Sequence, residues 1–159
     1  MTWGRFEPAQ RPQRRRPPEK LLGRSAAKMT KKMHSEGESV AEESSPITRH
    51  GVTRRWSDAV VFGSVVYFVE VPDDPELPAV DQFHQVLAQV DQRLAMVASD
   101  RTRLLQVMIY LPDPGDLEAF NRIWDDWVPE GHAPSRACVH APLAAKGYRV
   151  ELVITAAVR

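Results

Sequence analysis

Pro134-Ser135-Arg136-Ala137-Cys138-Val139 and, further on, Tyr148-Arg149-Val150-Glu151-Leu152 decide how this chain is read. Both runs have the character of strands, and the short Ala141 to Gly147 connection is expected to let them pair. With a side-chain period of two, Arg136, Cys138 and His140 share one face of their strand, and Ser135, Ala137 and Val139 share the other. An arginine inside an apolar strand is costly unless its charge is matched. Two partners satisfy it: Glu151, in a structural ion pair, or an anionic ligand. A planar five-donor fork suits a carboxylate held bidentately, so a small carboxylic acid is the guest that arginine would take.

Working outward, Ser64 to Val71 is rich in Val, Tyr and Phe and reads as a strand, with Gly63 as the turn that separates it from short strands over Arg54 to Phe62. Pro72-Asp73-Asp74-Pro75 and Pro78 punctuate the chain. Beyond them Val80, Phe83, Leu87, Val90, Leu94 and Val97 recur at three- and four-residue steps, one apolar helical stripe that Pro78 opens and Ser99-Asp100 closes. Leu104 to Leu111 is nearly all apolar and is expected to be a central strand covered on both faces. A second helix is expected over Asp116 to Val128, capped by Asp113 or Asp116, with Leu117, Phe120, Ile123, Trp124 and Trp127 turned inward. Strands over Ser135 to His140 and Arg149 to Ala157 complete an α+β layer, a single sheet of about six strands with both helices on one face. Val150, Leu152 and Ile154 make one side of the last strand apolar, and Val153 with Ala157 does the same for the other. Two helices cannot cover both faces of such a sheet, and self-association with closed symmetry is the physical solution.

The chain has 159 residues, 13 of them proline, and a formal net charge of zero. Neutrality conceals an asymmetry: Arg14-Arg15-Arg16, Lys20, Arg24, Lys28 and Lys31-Lys32 precede Glu36, Glu38, Glu42 and Glu43. Residues 1–45 hold too few large apolar side chains to offset the entropy of ordering, so a disordered tail is expected there, with a folded domain over 46–159. Met29 and Met33 are alternative starts, which would make the upstream stretch a mis-assigned beginning. The Arg11 to Arg16 run has no aromatic platform beside it, so nucleic acid is not an expected partner. A single cysteine excludes an internal disulfide and fits a reducing compartment. With no apolar run near the roughly 20 residues that cross a bilayer and no secretion-type leader, a cytoplasmic protein without a membrane partner is expected. The five histidines show no ligand spacing, so neither a metal site nor a cofactor is expected.

Asn121-Arg122-Ile123-Trp124, Trp127, Gly131, Pro134-Ser135-Arg136-Ala137-Cys138-Val139, Val150-Glu151-Leu152 and the closing Ala156-Ala157-Val158 together resemble the reactive-intermediate deaminase family, also called the RidA or YjgF family. The resemblance runs from about Ile47 to Arg159. It implies a chorismate-mutase-like fold and a homotrimer whose sheets face inward, with a ligand cleft at each subunit boundary. It also implies that Arg136 holds the carboxylate of a 2-imino acid, that the backbone N–H of Cys138 adds a donor to it, and that Glu151 positions the attacking water. Trp56 falls where many members carry a tyrosine lining the cleft, and supplies a wall without the phenolic hydroxyl.

One departure stands out. Members commonly read Ser-Gly-Gln or Ala-Gly-Gln on the third strand, and here the stretch is Phe68-Val69-Glu70-Val71. Glycine is what lets backbone approach a ligand closely. Pointing inward, Glu70 would pair with Arg136 and exclude the substrate, or select one carrying an amine; pointing outward, it is a solvated strand residue. Cys138 and His140 are about 6.5 Å apart along one strand face, which leaves the thiol as a small hydrophobe rather than half of a nucleophilic dyad. Asn121 is expected to bond a neighbouring loop. Two classes of function follow: a deaminase that hydrolyses reactive 2-imino acids or enamines to 2-keto acids and ammonia, and a non-catalytic trimeric protein that binds small carboxylates. No feature of the chain argues for the ribonuclease or chaperone roles attached to the family. Limited proteolysis is expected to nick between Arg11 and Ser45 and leave a stable core; a chain truncated at Ser44 that unfolds would show the tail to be structural.

Overall fold

The computed structural model describes residues 46–159; the expectations for residues 1–45 lie outside the described residues. Six strands, β1 (Thr48–His50), β2 (Ala59–Phe62), β3 (Val65–Glu70), β4 (Leu104–Leu111), β5 (Ser135–His140) and β6 (Glu151–Ala157), form one mixed sheet in the order β1-β2-β3-β6-β4-β5. Helices α1 (Ala79–Met96) and α2 (Leu117–Trp127) connect β3 to β4 and β4 to β5. The expected α+β layer of six strands and two helices is therefore what the chain forms. None of its described helices is long and apolar enough to cross a membrane.

Local signals explain most of the elements. Gly63, at φ +59°, opens the two-residue turn between Phe62 and Val65, which pair across the β2–β3 hairpin. Pro78 stands at the N-terminal boundary of α1, whose buried face is Gln82, Phe83, Val86, Leu87, Val90 and Leu94. Pro114 and Asp113 open a 3₁₀ turn, in which the Asp113 side chain accepts from the Gly115 N–H. Asp116, the residue before α2, makes no side-chain cap. Between β1 and β2 the expected strand character of Arg54 is replaced by a turn, in which the Thr53 hydroxyl accepts from the Arg55 and Trp56 amides.

The expected pairing of β5 with β6 is overturned. β5 lies parallel to β4, with Val107 opposite Arg136 and Ile109 opposite Cys138, and β4 separates it from β6. The physical reason is burial. β6 is apolar enough to be a central strand, so it inserts between β3 and β4, antiparallel to both. The β4-α2-β5 segment is then a crossover that returns its strand to the sheet edge, where Ser135, Arg136, Ala137, Val139 and His140 remain exposed.

All of the large apolar side chains on one face of the sheet pack under the helices: Val66, Phe68, Val107, Ile109, Leu111, Leu152 and Ile154 join Phe83, Val90, Phe120 and Trp124 in one core. Burying each such side chain contributes about 1.5–3 kcal/mol. Among the described residues nothing covers the opposite face. Tyr67 is 48% exposed, Val69 50% and Val153 36%, and Leu105 and Gln106 are exposed as well. β4 thus alternates, and the expectation that both its faces are covered fails among the described residues.

Gln82 ties the loops to this core. It is fully buried; its amide nitrogen lies 3.1, 2.9 and 3.0 Å from the carbonyls of Pro75, Leu77 and Gly147, and its oxygen accepts from the Arg149 N–H at 2.9 Å. Gly147, at φ +90°, passes so close that a Cβ there would lie 2.9 Å from the Pro75 carbonyl oxygen. Gln82→Met keeps the volume and removes every bond. The orphaned amide and carbonyls should cost about 3 kcal/mol, read as a lower urea midpoint at unchanged slope; an unchanged midpoint would show that the clamp carries no stability.

Candidate functional site

Arg136 projects from edge strand β5 on the helix-covered side, because its register partner Val107 is buried there. Its guanidinium carbon sits 4.9 Å from the Trp124 ring centroid and 5.8 Å from that of Phe120, and one terminal nitrogen donates to Asn121 Oδ1 at 2.7 Å. Asn121 thus braces the arginine rather than a loop. Among the described residues no carboxylate forms an ion pair with Arg136. Desolvation by burial pulls its pKa down, partly offset by Cys138 and Asp125. Arg136 is a cation stacked on aromatic rings with most of its donors uncommitted.

Cys138 is partly buried against the core, and burial pushes its thiol pKa up, with Arg136 opposing. His140 Nδ1 lies 3.2 Å from the Leu111 carbonyl, not against the thiol. A raised pKa means less thiolate at neutral pH, so alkylation by iodoacetamide at pH 7 should run severalfold slower than for a free cysteine thiol; a rate equal to or above the free thiol would contradict the small-hydrophobe role.

Glu151 opens β6 on the other, uncovered face, opposite Tyr110. Tyr110 in turn is the partner of Val139, so Arg136 and Glu151 lie on opposite sides of the sheet. The structural Arg136–Glu151 pair does not form. Parity along each strand could not reveal this, because the phase between the two depends on β4, which stands between them.

Glu70 is only 4% exposed and faces the helices, yet it meets neither Arg136 nor solvent. It accepts from Arg93 Nε at 2.7 Å, and Arg93 reaches Asp58 at 3.4 Å. Gln89, one turn before Arg93, lies 3.5 Å from Glu70 and donates to the Val71 carbonyl at 2.9 Å. The expected Glu70–Arg136 contact is therefore corrected: α1 supplies the partner within the same chain. Gln89 and Arg93 went unnoticed as functional candidates, although their i, i+4 spacing beside the apolar stripe was the available signal.

Trp56, 62% exposed, and Glu70 line one cavity of about 500 Å³ at the end of β3. The protomer thus brings Trp56 and Glu70 together and leaves Arg136 and Cys138 at the far edge of the sheet, five strands from β1. Glu151 is nearer the cavity, since Leu152, its successor, is the register partner of Glu70.

The fold defines a small α+β protein, one mixed sheet with two helices on one face. The family model described as Endoribonuclease L-PSP matches residues 47–158. The chain belongs to that family, the RidA/YjgF proteins whose motifs it resembles. It is 41% identical over 113 residues to a RutC family protein of Haemophilus ducreyi, covering 70% of this chain and 97% of the relative. It is 39% identical over 112 residues to the RutC family protein YoaB of Escherichia coli, with 70% and 98% covered. Among solved structures, a YjgF family member from Neisseria meningitidis superposes with a TM-score of 0.69 at 42% identity, over 73% of this chain and 98% of that one. An uncharacterized protein from Pseudomonas aeruginosa gives 0.70 at 39% identity, with 72% and 100% covered.

Proposed function

We propose that the protein hydrolyses 2-imino acids, or their enamine tautomers, to 2-keto acids and ammonia, in clefts between the subunits of a homotrimer. The observation that carries this reading is Arg136: a guanidinium braced by Asn121, stacked on Trp124, and unpaired with any carboxylate among the described residues. Family membership supports the same class of chemistry. Two features favour a boundary site. Arg136 and Glu151 lie on opposite faces of one sheet, so they share a ligand only when Glu151 comes from a neighbouring subunit. The uncovered apolar face needs a partner, and identical subunits arranged in closed symmetry supply one.

The chemistry asks little of the protein. Arg136 holds the substrate carboxylate, with the Cys138 backbone N–H as a further donor. The protonated imine is already electrophilic. Glu151 takes a proton from water as its oxygen bonds to the imine carbon, giving a carbinolamine. The proton then passes to nitrogen, the hydroxyl returns its own proton to Glu151 as the C=O bond forms and the C–N bond breaks, and ammonia leaves a 2-keto acid. Glu70 does not compete for the substrate's arginine within a protomer, because Arg93 already engages it.

The alternative is a trimeric carboxylate-binding protein without turnover, favoured by one observation: no described side chain hydrogen-bonds Glu151 into a fixed orientation. Ammonia release from an amino-acid oxidase mixture, with and without the purified protein, separates the two. Arg136→Lys keeps the charge and loses the fork, so 2-oxobutanoate affinity should fall by about tenfold. Glu151→Gln should abolish ammonia release and spare binding. Unchanged affinity in a folded Arg136→Ala variant would remove the proposal.

A further inference from the structure

The cavity beside Trp56 has a charge balance unsuited to the acid that Arg136 would hold. Its walls include Asp58, Glu70 and Asp73 against the single cation Arg93. Arg93 already faces two of these carboxylates, since Nε donates to Glu70 at 2.7 Å and a terminal nitrogen lies 3.4 Å from Asp58, which leaves the cavity with a net negative balance. Glu70 is almost fully withdrawn from water, so its charge acts at low effective dielectric. The indole of Trp56 lines the same space and keeps most of its surface open, a ring face available to a cation. Val69, half exposed, adds an apolar wall for a hydrocarbon stem. At about 500 Å³ the cavity is large enough for several methylenes and a terminal guanidinium.

Position connects the cavity to the proposed reaction. Glu70 is the register partner of Leu152, so the cavity and Glu151 lie at the same end of two adjacent strands. Val69, also a cavity wall, is the register partner of Val153 and so shares the bare face with Glu151; over Val69 a substrate whose imine carbon sits by Glu151 can send its side chain into this space.

We propose that the Trp56–Asp58–Glu70–Asp73 cavity is the side-chain subsite, and that it selects 2-imino acids ending in an amine or guanidinium. The inference rests on the deaminase reading for the carboxylate end of the substrate, and on the cavity alone for the cationic end. An anionic side chain is repelled by the surplus carboxylates, and a short neutral one leaves them unpaired.

The test uses stable keto acids and the full chain in titration calorimetry. 5-Guanidino-2-oxopentanoate should bind roughly tenfold more tightly than 2-oxobutanoate, with 2-oxoglutarate weakest. Asp73→Asn and Trp56→Leu, both at exposed positions, should each narrow the first ratio to about threefold. Equal affinities, or tighter 2-oxoglutarate, while Arg136→Ala still abolishes binding, would overturn the subsite and leave the deaminase reading standing. Binding of all three keto acids that is indifferent to Arg136→Ala would sink the deaminase reading instead. The cavity is then judged by n-butylguanidinium, which has no carboxylate. It should shift the Trp56 indole N–H resonance, assigned with Trp56→Leu, equally in the parent and in Arg136→Ala; no shift refutes the subsite.

Discussion

A sheet that is apolar on both faces and has helices for only one is the constraint from which the rest of this molecule follows. Val66, Phe68, Leu152 and Ile154 are buried under α1 and α2, while Tyr67, Val69 and Val153, on the same strands with opposite parity, stay open. Exposed aliphatic and aromatic side chains in such a run favour association. The same asymmetry sorts the candidate groups. Arg136 and Glu70 point to the helical side, where aromatic rings and α1 provide partners, and Glu151 points to the bare side, where a second subunit would be its environment.

Several charged groups on the covered side are paired locally. Glu70 has Arg93, Asp91 has Arg101 at 2.5 Å together with the Trp127 indole N–H, and Arg149 bridges Asp113 and Asp116 at 3.0 and 2.7 Å. A buried or half-buried charge with such a partner is stable, and removing one member of the pair is what costs. Against this background Arg136 stands apart, held by an amide oxygen and two π faces in place of a counter-ion. That contrast, more than any one distance, supports the proposal that it holds the substrate carboxylate.

Much of the fold was legible in the sequence because its elements are signalled locally. The α1 stripe from Phe83 to Leu94, Pro78 before it and Gly63 at the β2–β3 turn each act within a few residues and have their counterparts in the structure, whereas Val80, expected in the stripe, is exposed. Strand neighbours were not legible. β5 and β6 are close in sequence, and a hairpin was the economical reading; the preference of β6 for the middle of the sheet is a property of the whole layer. The candidate site suffered for the same reason, since the relation of Arg136 to Glu151 depends on the strand between them. Gln82 illustrates a signal present but passed over: it falls in register with Val86 and Val90 on the buried face, and a polar residue at a core position announces a hydrogen-bonding duty.

The place of β6 also governs how the chain can acquire its structure. The last strand in sequence is a central strand in space, hydrogen-bonded to β3 across more than 80 residues of chain and to β4 across some 45. Until it docks, β3 and β4 have no common neighbour, and the layer beneath α1 and α2 has a gap down its middle. During synthesis the earlier elements must wait for β6 to emerge, with apolar strand edges exposed in the interval. Pairings of such long range make for slow closure. Chains in which β6 is disrupted are thus expected to burden chaperones and proteases out of proportion to the size of the lesion.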